Sequence, residues 1–226
     1  MNEYEEVYSY KLSPKTPIIV RVDGVCFHNY LKHLEKPYCE EFANAMIEAT
    51  RLLVAEIPDA KIGYTQSDEA SILINAPDFA DQWYRNRTTK IVSIVASMMT
   101  ARFNSLTKDI LPRGQALFDA RAFTLPKEEV CNYFIVRQED ATKNSVHGYA
   151  RKLFTQAELV GRSRREMIDM MFGRGFKWND LPVANRRGVA VVLTKVGNKR
   201  VGTVDREPPI FSSEEGRAYI EKHMNI

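Results

Sequence analysis

The hydrophobic and polar positions of the chain fall into short alternating runs and longer helical repeats. A run of β-forming residues at 17–22 is followed by a segment at about 38–57 whose apolar residues recur every three or four positions. Two further apolar runs, at about 61–66 and 70–75, are separated by a short polar corner. The pattern therefore predicts a strand, a helix and a hairpin, in that order.

A second long amphipathic segment follows the hairpin. It covers about residues 79–106, and one stripe carries Trp83, Ile91, Ile94, Val95, Met98 and Ala101. Residues 116–124 then read as a fourth strand. The order β-α-β-β-α-β predicts an α+β fold of the split βαβ type, in which two helices cover one face of an antiparallel sheet.

The C-terminal part is predicted to be helical and basic. A third helix begins at about residue 127 and runs through Arg137, Thr155 can cap a short helix at 156–160, and Ser163 with Glu166 forms a capping box for a helix to 172. A hairpin at 189–195 and 199–204 closes the chain. We expect a catalytic domain at 1–135 and a helical, basic extension at 136–226 packed on it, or one compact domain.

Composition narrows the class of protein only slightly. The 226 residues include 44% hydrophobic ones and carry a net charge of +3, so any nucleic acid would be bound by local basic clusters. The three cysteines form no C-x-x-C pair, which argues against a zinc knuckle or a disulfide framework and favours a reducing, cytoplasmic setting. Neither a signal sequence nor a membrane span is indicated.

Candidate chemistry lies in two acidic corners, Asp23-Gly24 after the first strand and Asp68-Glu69 inside the hairpin. In a split βαβ fold the first and third strands are usually central neighbours, so we expect these corners to meet. Carboxylates brought close together repel unless a cation lies between them, and oxygen-only ligands favour magnesium. The alternative is that Asp and Gly are simply turn-forming residues here.

The segment after Asp23 can contribute phosphate contacts. Gly24 permits close approach of a ligand, and the amides of Val25, Cys26, Phe27 and His28 can open a helical turn towards it. No Walker or G-x-G-x-x-G pattern accompanies them. His28, Lys36 and Lys90 are ambiguous alone, because each can equally be a packed or surface residue.

A series of motifs resembles one enzyme family. They are Arg21-Val22-Asp23-Gly24 with Phe27-His28, Lys36-Pro37, the run from Gly63 to Glu69, Phe118-Asp119-Ala120-Arg121, Asn132-Tyr133-Phe134, Arg137-Gln138 with Asp140, and Asn144-Ser145. In this order they are similar to the motifs of the tRNA-histidine guanylyltransferase family over about residues 16–159. Fewer positions resemble the family after residue 159.

The resemblance implies a polymerase-like palm that adds nucleotides to the 5′ end of tRNA, in the reverse of the usual direction. It implies two Mg²⁺ ions held by Asp23, Asp68 and the Gly24 carbonyl and supported by Glu69, with Asp23, Asp68 and Glu69 as the catalytic carboxylates. ATP or GTP would activate the 5′ phosphate before the 3′ hydroxyl of an incoming nucleoside triphosphate attacks it. The nucleotide-binding residues that it implies are Arg21, Val25, Cys26, Phe27, His28, Lys36, Ser67, Lys90 and Asn144.

Two departures from the family pattern refine this expectation. Enzymes dedicated to tRNA-histidine resemble one another in a His-Ile-Asn-Asn-Leu-Tyr segment, where this chain has Thr142-Lys143-Asn144-Ser145-Val146-His147. Thr142 in place of the leading histidine favours the guanylyltransferase-like branch, which resembles template-directed tRNA 5′-end repair enzymes; His147 is out of register and is read as structural. Cys39 stands where members often have an acidic residue, which leaves contacts to the activating base open.

Alternative functions also remain at this stage. They are addition of a single guanylate to tRNA-histidine, a palm-fold nucleotide cyclase, and a non-catalytic tRNA-binding protein. Intact Asp23 and Asp68 argue against the last.

The resemblance also implies a homotetramer and a tRNA partner bound through its 5′ end and acceptor stem. Basic side chains that can bind the phosphates are Arg137, Arg151, Lys152, Arg162, Arg164, Arg165, Arg186 and Arg187. An oligomer interface or simple solvation are the alternatives for these residues.

Overall fold

A computed structural model of the protein describes residues 10–76, 82–110 and 114–224, together with Tyr4 and Val7. Its first half contains β1 (Ile18–Gly24), α1 (Phe27–Tyr30), α2 (Glu40–Glu56), β2 (Ala60–Gln66), β3 (Glu69–Ile74), α3 (Thr88–Thr107) and β4 (Phe118–Thr124). The second half contains α4 (Glu129–Leu153), α5 (Gln156–Leu159), α6 (Arg164–Gly173), α7 (Val183–Arg187), β5 (Val189–Val196), β6 (Lys199–Asp205) and α8 (Glu214–Met224). Short 3₁₀ turns occur at Leu31–His33, Trp83–Asn86 and Trp178–Asp180.

The strands form one sheet in the order β4-β1-β3-β2-β5-β6, and every neighbouring pair is antiparallel. The first four strands reproduce the predicted split βαβ order, with β1 and β3 as neighbours, so the α+β fold class is confirmed. The C-terminal hairpin β5–β6 is also confirmed, and it adds to the edge of this sheet through β2. The sequence alone did not predict that addition.

Helices cover both faces of the sheet. On one face α2 and α3 bury a core that includes Val20, Val22, Met46, Leu53 and Phe103. These are the two helices expected from the sequence. The opposite face is covered by α4 and α8 through a second apolar cluster that includes Ile19, Leu73, Phe134, Phe211 and Ile220. Helix α8 was not predicted.

The second long helix begins later than predicted. Residues 77–81 lie outside the described residues, and α3 starts only at Thr88, because Tyr84, Arg85 and Asn86 have left-handed backbone angles. The amide of Leu12 donates to the Asn86 carbonyl at 2.9 Å, which draws this segment towards the N-terminal lead-in. The buried stripe of α3 is Ile91, Val95, Met99, Phe103 and Thr107, so Ala101, which is exposed, was assigned to it wrongly.

Helix α4, whose end beyond Arg137 the sequence did not define, connects the two halves of the chain. Its 25 residues continue to Leu153, so the proposed boundary at residue 135 falls within a continuous helix. Beyond it, the predicted N-cap Thr155 and the predicted capping box Ser163–Glu166 are present, and Thr155 also forms a capping box with Glu158. A third apolar cluster, which includes Val146, Met167, Met171 and Trp178, packs α6 against the distal half of α4.

Within the described residues, no helix combines the length and apolar character that crossing a membrane requires.

Candidate active site

The two acidic corners meet at one end of the sheet. Asp23 on β1 lies opposite Glu69 on β3 and, on its other side, opposite Asp119 on β4. The Gly24 amide donates a hydrogen bond to the Asp68 carbonyl oxygen at 3.2 Å. Residues in one cross-strand row point to the same face, so β1, β3 and β4 bring their carboxylates to a common edge. The predicted meeting of the corners is confirmed.

Two arginines lie beside Asp23. Arg21 Nε is 3.1 Å and Arg121 Nη2 is 3.5 Å from Asp23 Oδ2, and Arg121 is also 3.6 Å from Asp119 Oδ1. Arg21 and Arg121 are themselves cross-strand partners, two residues along their strands from the two aspartates. The Arg121 side chain is half exposed at 53%, so it can turn from the carboxylates towards an anionic ligand.

Glu69 is held from the opposite direction by helix α4. Arg137 Nη1 lies 3.1 Å from Glu69 Oε2, and its Nη2 lies 2.8 Å from Asp140 Oδ2. The Ser71 hydroxyl is 2.8 Å from the Tyr133 hydroxyl and 3.5 Å from Glu69 Oε1. These contacts connect the Glu69 carboxylate with strand β3 and helix α4.

Burial opposes ionisation of the two hairpin carboxylates. It raises the pKa of Asp68, and the charge of Asp23 raises it further, while hydrogen bonds from the backbone and from Ser67 act in the opposite direction. Burial also raises the pKa of Glu69, with Arg137 and Arg21 lowering it and Asp23 raising it. A cation placed between Asp23 and Asp68 would relieve this repulsion.

The donor set at the corner fits magnesium. Asp23, Asp68 and the Gly24 carbonyl supply oxygen only, which suits a hard divalent ion that keeps several water or phosphate ligands. Among the described residues, no group of three or more His, Cys, Asp or Glu side chains is arranged to hold a metal.

A cavity of about 190 Å³ lies beside the corner. Its apolar wall includes Leu31, Leu34 and Phe42, and its polar lining includes Lys36, Ser67, Asn144 and Asn185. Apolar walls with a few convergent polar groups are typical of small-molecule sites. Ser67, which also donates to Asp68 Oδ1 at 3.0 Å, connects the cavity with the acidic corner.

Comparison with known proteins places this geometry in a family. A family model described as Thg1, tRNAHis guanylyltransferase, matches residues 1–126, which is more than half of the chain. The chain belongs to the Thg1 family. Two solved structures of a bacterial tRNA(His) guanylyltransferase (Thg1)-like protein, one in complex with ATP and one with GTP, are each 40% identical to it. Their TM-scores are 0.91 and 0.85, and they cover 99% and 100% of this chain and 96% and 97% of their own chains.

A curated relative agrees with this assignment. The tRNA(His) guanylyltransferase of Schizosaccharomyces pombe is 30% identical over 195 residues, which cover 79% of this chain and 74% of that protein. As a member of the Thg1 family, the protein is a metal-dependent nucleotidyltransferase.

The nucleotide-binding residues predicted from the resemblance lie in four different places. Lys36, Ser67 and Asn144 line the cavity together, and Arg21 lies at the acidic corner. Lys90 is elsewhere: its neighbour Ile91 lines a small gap with Ile18 and Ile74, at the far end of β1 and β3. Within this chain, therefore, the structure does not bring Lys90 to the corner.

The fourth place, the segment from Val25 to His28, is only partly available for a ligand. The Val25 amide donates to the Leu117 carbonyl at 2.8 Å, so it is not free to bind phosphate as predicted. The Phe27 ring is buried in the core below Gly24. Cys26 and His28 are exposed beside it, and Cys26 has a left-handed backbone that starts the short helix α1.

The predicted RNA-binding arginines are also divided. Arg137 lies at the acidic corner rather than on an RNA-facing surface, because carboxylates hold both of its terminal nitrogens. Arg186 is partly buried, donates to the Leu181 carbonyl at 2.9 Å and lies over the Trp178 ring; Arg187 is partly buried as well. Of the residues predicted to bind RNA, five are exposed: Arg151, Lys152, Arg162, Arg164 and Arg165.

The sequence reasoning did not assign Asp119, Arg121 or Asp140 to the site. Asp119 and Arg121 stood within a recognised motif, and the strand order that places β4 beside β1 was a sufficient signal for both. The role of Arg137 could not be predicted from neighbouring residues, because its partner Glu69 is 68 positions away in the chain.

Proposed function

We propose that this protein adds nucleotides to the 5′ end of tRNA in the 3′-to-5′ direction, directed by the opposite strand, as a repair reaction. The observation that carries the proposal is the acidic corner beside a cavity. Asp23, Asp68 and Glu69 lie at one sheet edge, and Lys36, Ser67 and Asn144 line the adjoining cavity. This arrangement offers a position for a nucleotide base next to a position for its phosphates.

In the first step an oxygen of the tRNA 5′ phosphate attacks the α-phosphorus of ATP or GTP and releases pyrophosphate. In the second, the 3′ hydroxyl of an incoming nucleoside triphosphate attacks the activated 5′ phosphorus, and the activating nucleotide leaves as its monophosphate. Both steps are phosphoryl transfers that depend on positioning and on neutralising charge, so one site can serve them.

The residues of this chain have separable tasks in that sequence. The cavity binds the activating base, with Lys36 in its polar lining available to the triphosphate, and Arg21 and Arg121 lie where phosphate oxygens would approach Asp23. Asp23, Asp68 and the Gly24 carbonyl would hold two magnesium ions, which when bound neutralise charge on the reacting phosphates. Arg137 keeps Glu69 in place behind them.

Thr142 supports repair over dedicated addition of one guanylate. Its hydroxyl donates to the Gln138 carbonyl one turn earlier at 2.9 Å, so it is bound within helix α4 and offers none of the chemistry of an imidazole. The tetrameric assembly, the cytoplasmic location and the domain boundary remain predictions.

A single assay tests the proposal. A tRNA that lacks its first 5′ nucleotide and carries a 5′ monophosphate is incubated with ATP, labelled nucleotides and Mg²⁺, and the 5′ ends are sequenced. We expect extension by the nucleotide that matches the opposite strand, and loss of extension in Asp68→Ala with RNA binding retained. Addition of guanylate alone to tRNA-histidine, whatever the opposing base, would overturn the repair assignment.

A further inference from the structure

We propose that Lys143, His147 and Arg151 on helix α4, together with Arg164 at the start of α6, form a stripe that binds successive phosphates of the RNA strand leading into the acidic corner. The inference rests on the proposed function, because it takes RNA as the substrate. It assigns a role to Lys143 and His147, which the sequence patterns did not connect with RNA binding.

The geometry of α4 aligns these side chains. Lys143, His147 and Arg151 are four residues apart, so they lie above one another on one face of the helix. Lys143 and Arg151 are exposed, and His147 is partly buried. Arg164 joins them from the neighbouring helix, because α6 packs against this half of α4 through Met167, Met171 and Val146.

No carboxylate of the described residues forms an ion pair with the stripe, and the exposed Glu139 lies one turn before Lys143 on the same helix. Within the described part of the chain, Lys143, Arg151 and Arg164 form no ion pair, and the three charged groups that lower the pKa of His147 are these same cations. Two acidic side chains of the following segment are already used: Glu158 and Glu166 close capping boxes and pair with Arg174 and Arg162. An anion from outside the chain would therefore meet three cations that no ion pair occupies.

The position of the stripe selects an RNA backbone over a single triphosphate. From Lys143 to Arg151 the helix rises about 12 Å, which is an extended surface rather than a pocket. Asn144, the neighbour of Lys143, lines the cavity, and Arg137 with Asp140 lies about one turn earlier at the acidic corner. Helix α4 thus leads from the corner, past the cavity, along the stripe.

His147 gives this arrangement a specific signature. Burial lowers the pKa of His147, and the charges of Arg151, Lys143 and Arg164 lower it further. A phosphate bound among these cations adds negative charge next to the imidazole, which favours its protonated form. RNA binding should therefore raise the pKa of His147.

The test uses the full chain and a 5′-monophosphorylated stem-loop RNA that mimics an acceptor stem. Fluorescence anisotropy gives Kd as a function of KCl for the wild type, Lys143→Gln/Arg151→Gln, His147→Gln and the control Lys199→Gln, an exposed residue in the β5–β6 hairpin. We expect the slope of log Kd against log salt concentration to fall by roughly 0.7 to 0.9 for each phosphate that the protein no longer neutralises. The double variant should therefore lose about 1.5 from this slope, and the control should keep the wild-type slope. An unchanged slope in the double variant, or an equal fall in Lys199→Gln, would overturn the stripe.

NMR titration of the His147 imidazole in the wild type provides a readout that needs no variant to fold. A pKa that rises on adding the RNA supports the stripe, and one that stays constant contradicts it. ATP is titrated in parallel: if the double variant loses affinity for ATP and keeps its RNA salt dependence, the stripe binds triphosphate and the RNA assignment is wrong. Extension assays keep the two proposals apart, since wild type that binds RNA through the stripe without extending it refutes only the repair function.

Discussion

Arg137 on helix α4 forms ion pairs with Glu69 of the hairpin corner at 3.1 Å and with Asp140 at 2.8 Å. The side chains of Arg137 and Glu69 are only 16% and 11% exposed, so this pair is largely shielded from water. A residue from the second half of the chain thus holds a carboxylate of the first half. The position of Glu69 therefore depends on how α4 packs on the sheet, through Arg137 and through the Tyr133 hydroxyl bonded to Ser71.

Replacing Arg137 with Met should leave Glu69 buried without its cation. We expect a loss of about 3 kcal/mol in the free energy of unfolding, measured by urea denaturation, and a strong fall in nucleotide transfer. Arg137→Lys should recover part of both, because a lysine restores the charge without the two-pronged geometry. The control is Arg102→Met, which breaks an exposed pair with Glu56 and should cost about 1 kcal/mol or less. Equal losses in Arg137→Met and Arg102→Met would contradict the positioning role.

The sequence predicted those features that neighbouring residues decide. The apolar periods indicated α2, and the alternating runs indicated β1, β2 and β3. The N-cap Thr155 and the capping box of Ser163 with Glu166 marked the starts of α5 and α6. Distant contacts decided the rest. The start of α3 depends on the Leu12 to Asn86 hydrogen bond, and the place of Arg137 depends on a partner that only folding brings near.

For the acidic corner, too, the sequence predicted some features and distant contacts decided the others. Strand order alone brought Asp23 to Asp68 and Glu69, because β1 and β3 are neighbours in a split βαβ fold. The ion pairs of Arg121 and Asp140 depend on side-chain direction, which no local pattern contains.

Asp68→Asn should stabilise the metal-free protein at neutral pH. Burial, with the charge of Asp23, raises the pKa of Asp68 above that of the unfolded chain, so folded protein binds this proton more tightly. The contribution of Asp68 to the free energy of unfolding is then greatest below the ordinary aspartate pKa. It falls as the pH rises through the pKa of Asp68 in the folded protein. We expect a higher Tm for Asp68→Asn at pH ~7.5, with the difference shrinking as the pH approaches the ordinary aspartate value.

In the presence of magnesium the wild type should be more stable than Asp68→Asn. A ligand that binds only the folded state raises Tm with its concentration, so MgCl2 should stabilise the wild type and have little effect on Asp68→Asn. Asp109→Asn, at an exposed position after α3, is the control and should behave as wild type in both conditions. If MgCl2 shifts the Tm of Asp68→Asn as much as that of wild type, Asp68 does not hold the metal.

Gly24→Ala should disturb the corner through the core beneath it. A methyl group at Gly24 would clash with the Phe27 ring, which is packed among Phe42, Phe103 and Phe118 and cannot move away. We expect a cost of about 1 to 3 kcal/mol in unfolding free energy and at least a roughly tenfold loss of transfer rate, because the hydrogen bond from Gly24 to Asp68 moves with the backbone.

Gly173→Ala is the matched control for that change. Nothing lies within 4 Å of a methyl group added at Gly173, at the end of α6, so this variant should be neutral or slightly more stable. Chemical denaturation and single-turnover kinetics on both variants make the comparison. A Gly24→Ala protein as stable and as active as Gly173→Ala would show that the corner tolerates displacement.

Ala184→Leu should test the cavity as the site of the activating base. Ala184 lines the cavity together with Phe42 and Pro37, and a leucine there would fill part of its volume of about 190 Å³. We expect the Kd for ATP, measured by isothermal titration calorimetry, to rise by roughly tenfold or more, since about 1.4 kcal/mol of lost binding corresponds to a factor of ten. Ala157→Leu, on the exposed surface of α5, adds the same side chain away from the cavity and should leave the Kd unchanged. If Ala184→Leu binds ATP as tightly as the wild type and circular dichroism shows an intact fold, the base is bound outside this cavity. The nucleotide-binding roles of Lys36, Ser67 and Asn144 would then be wrong as well.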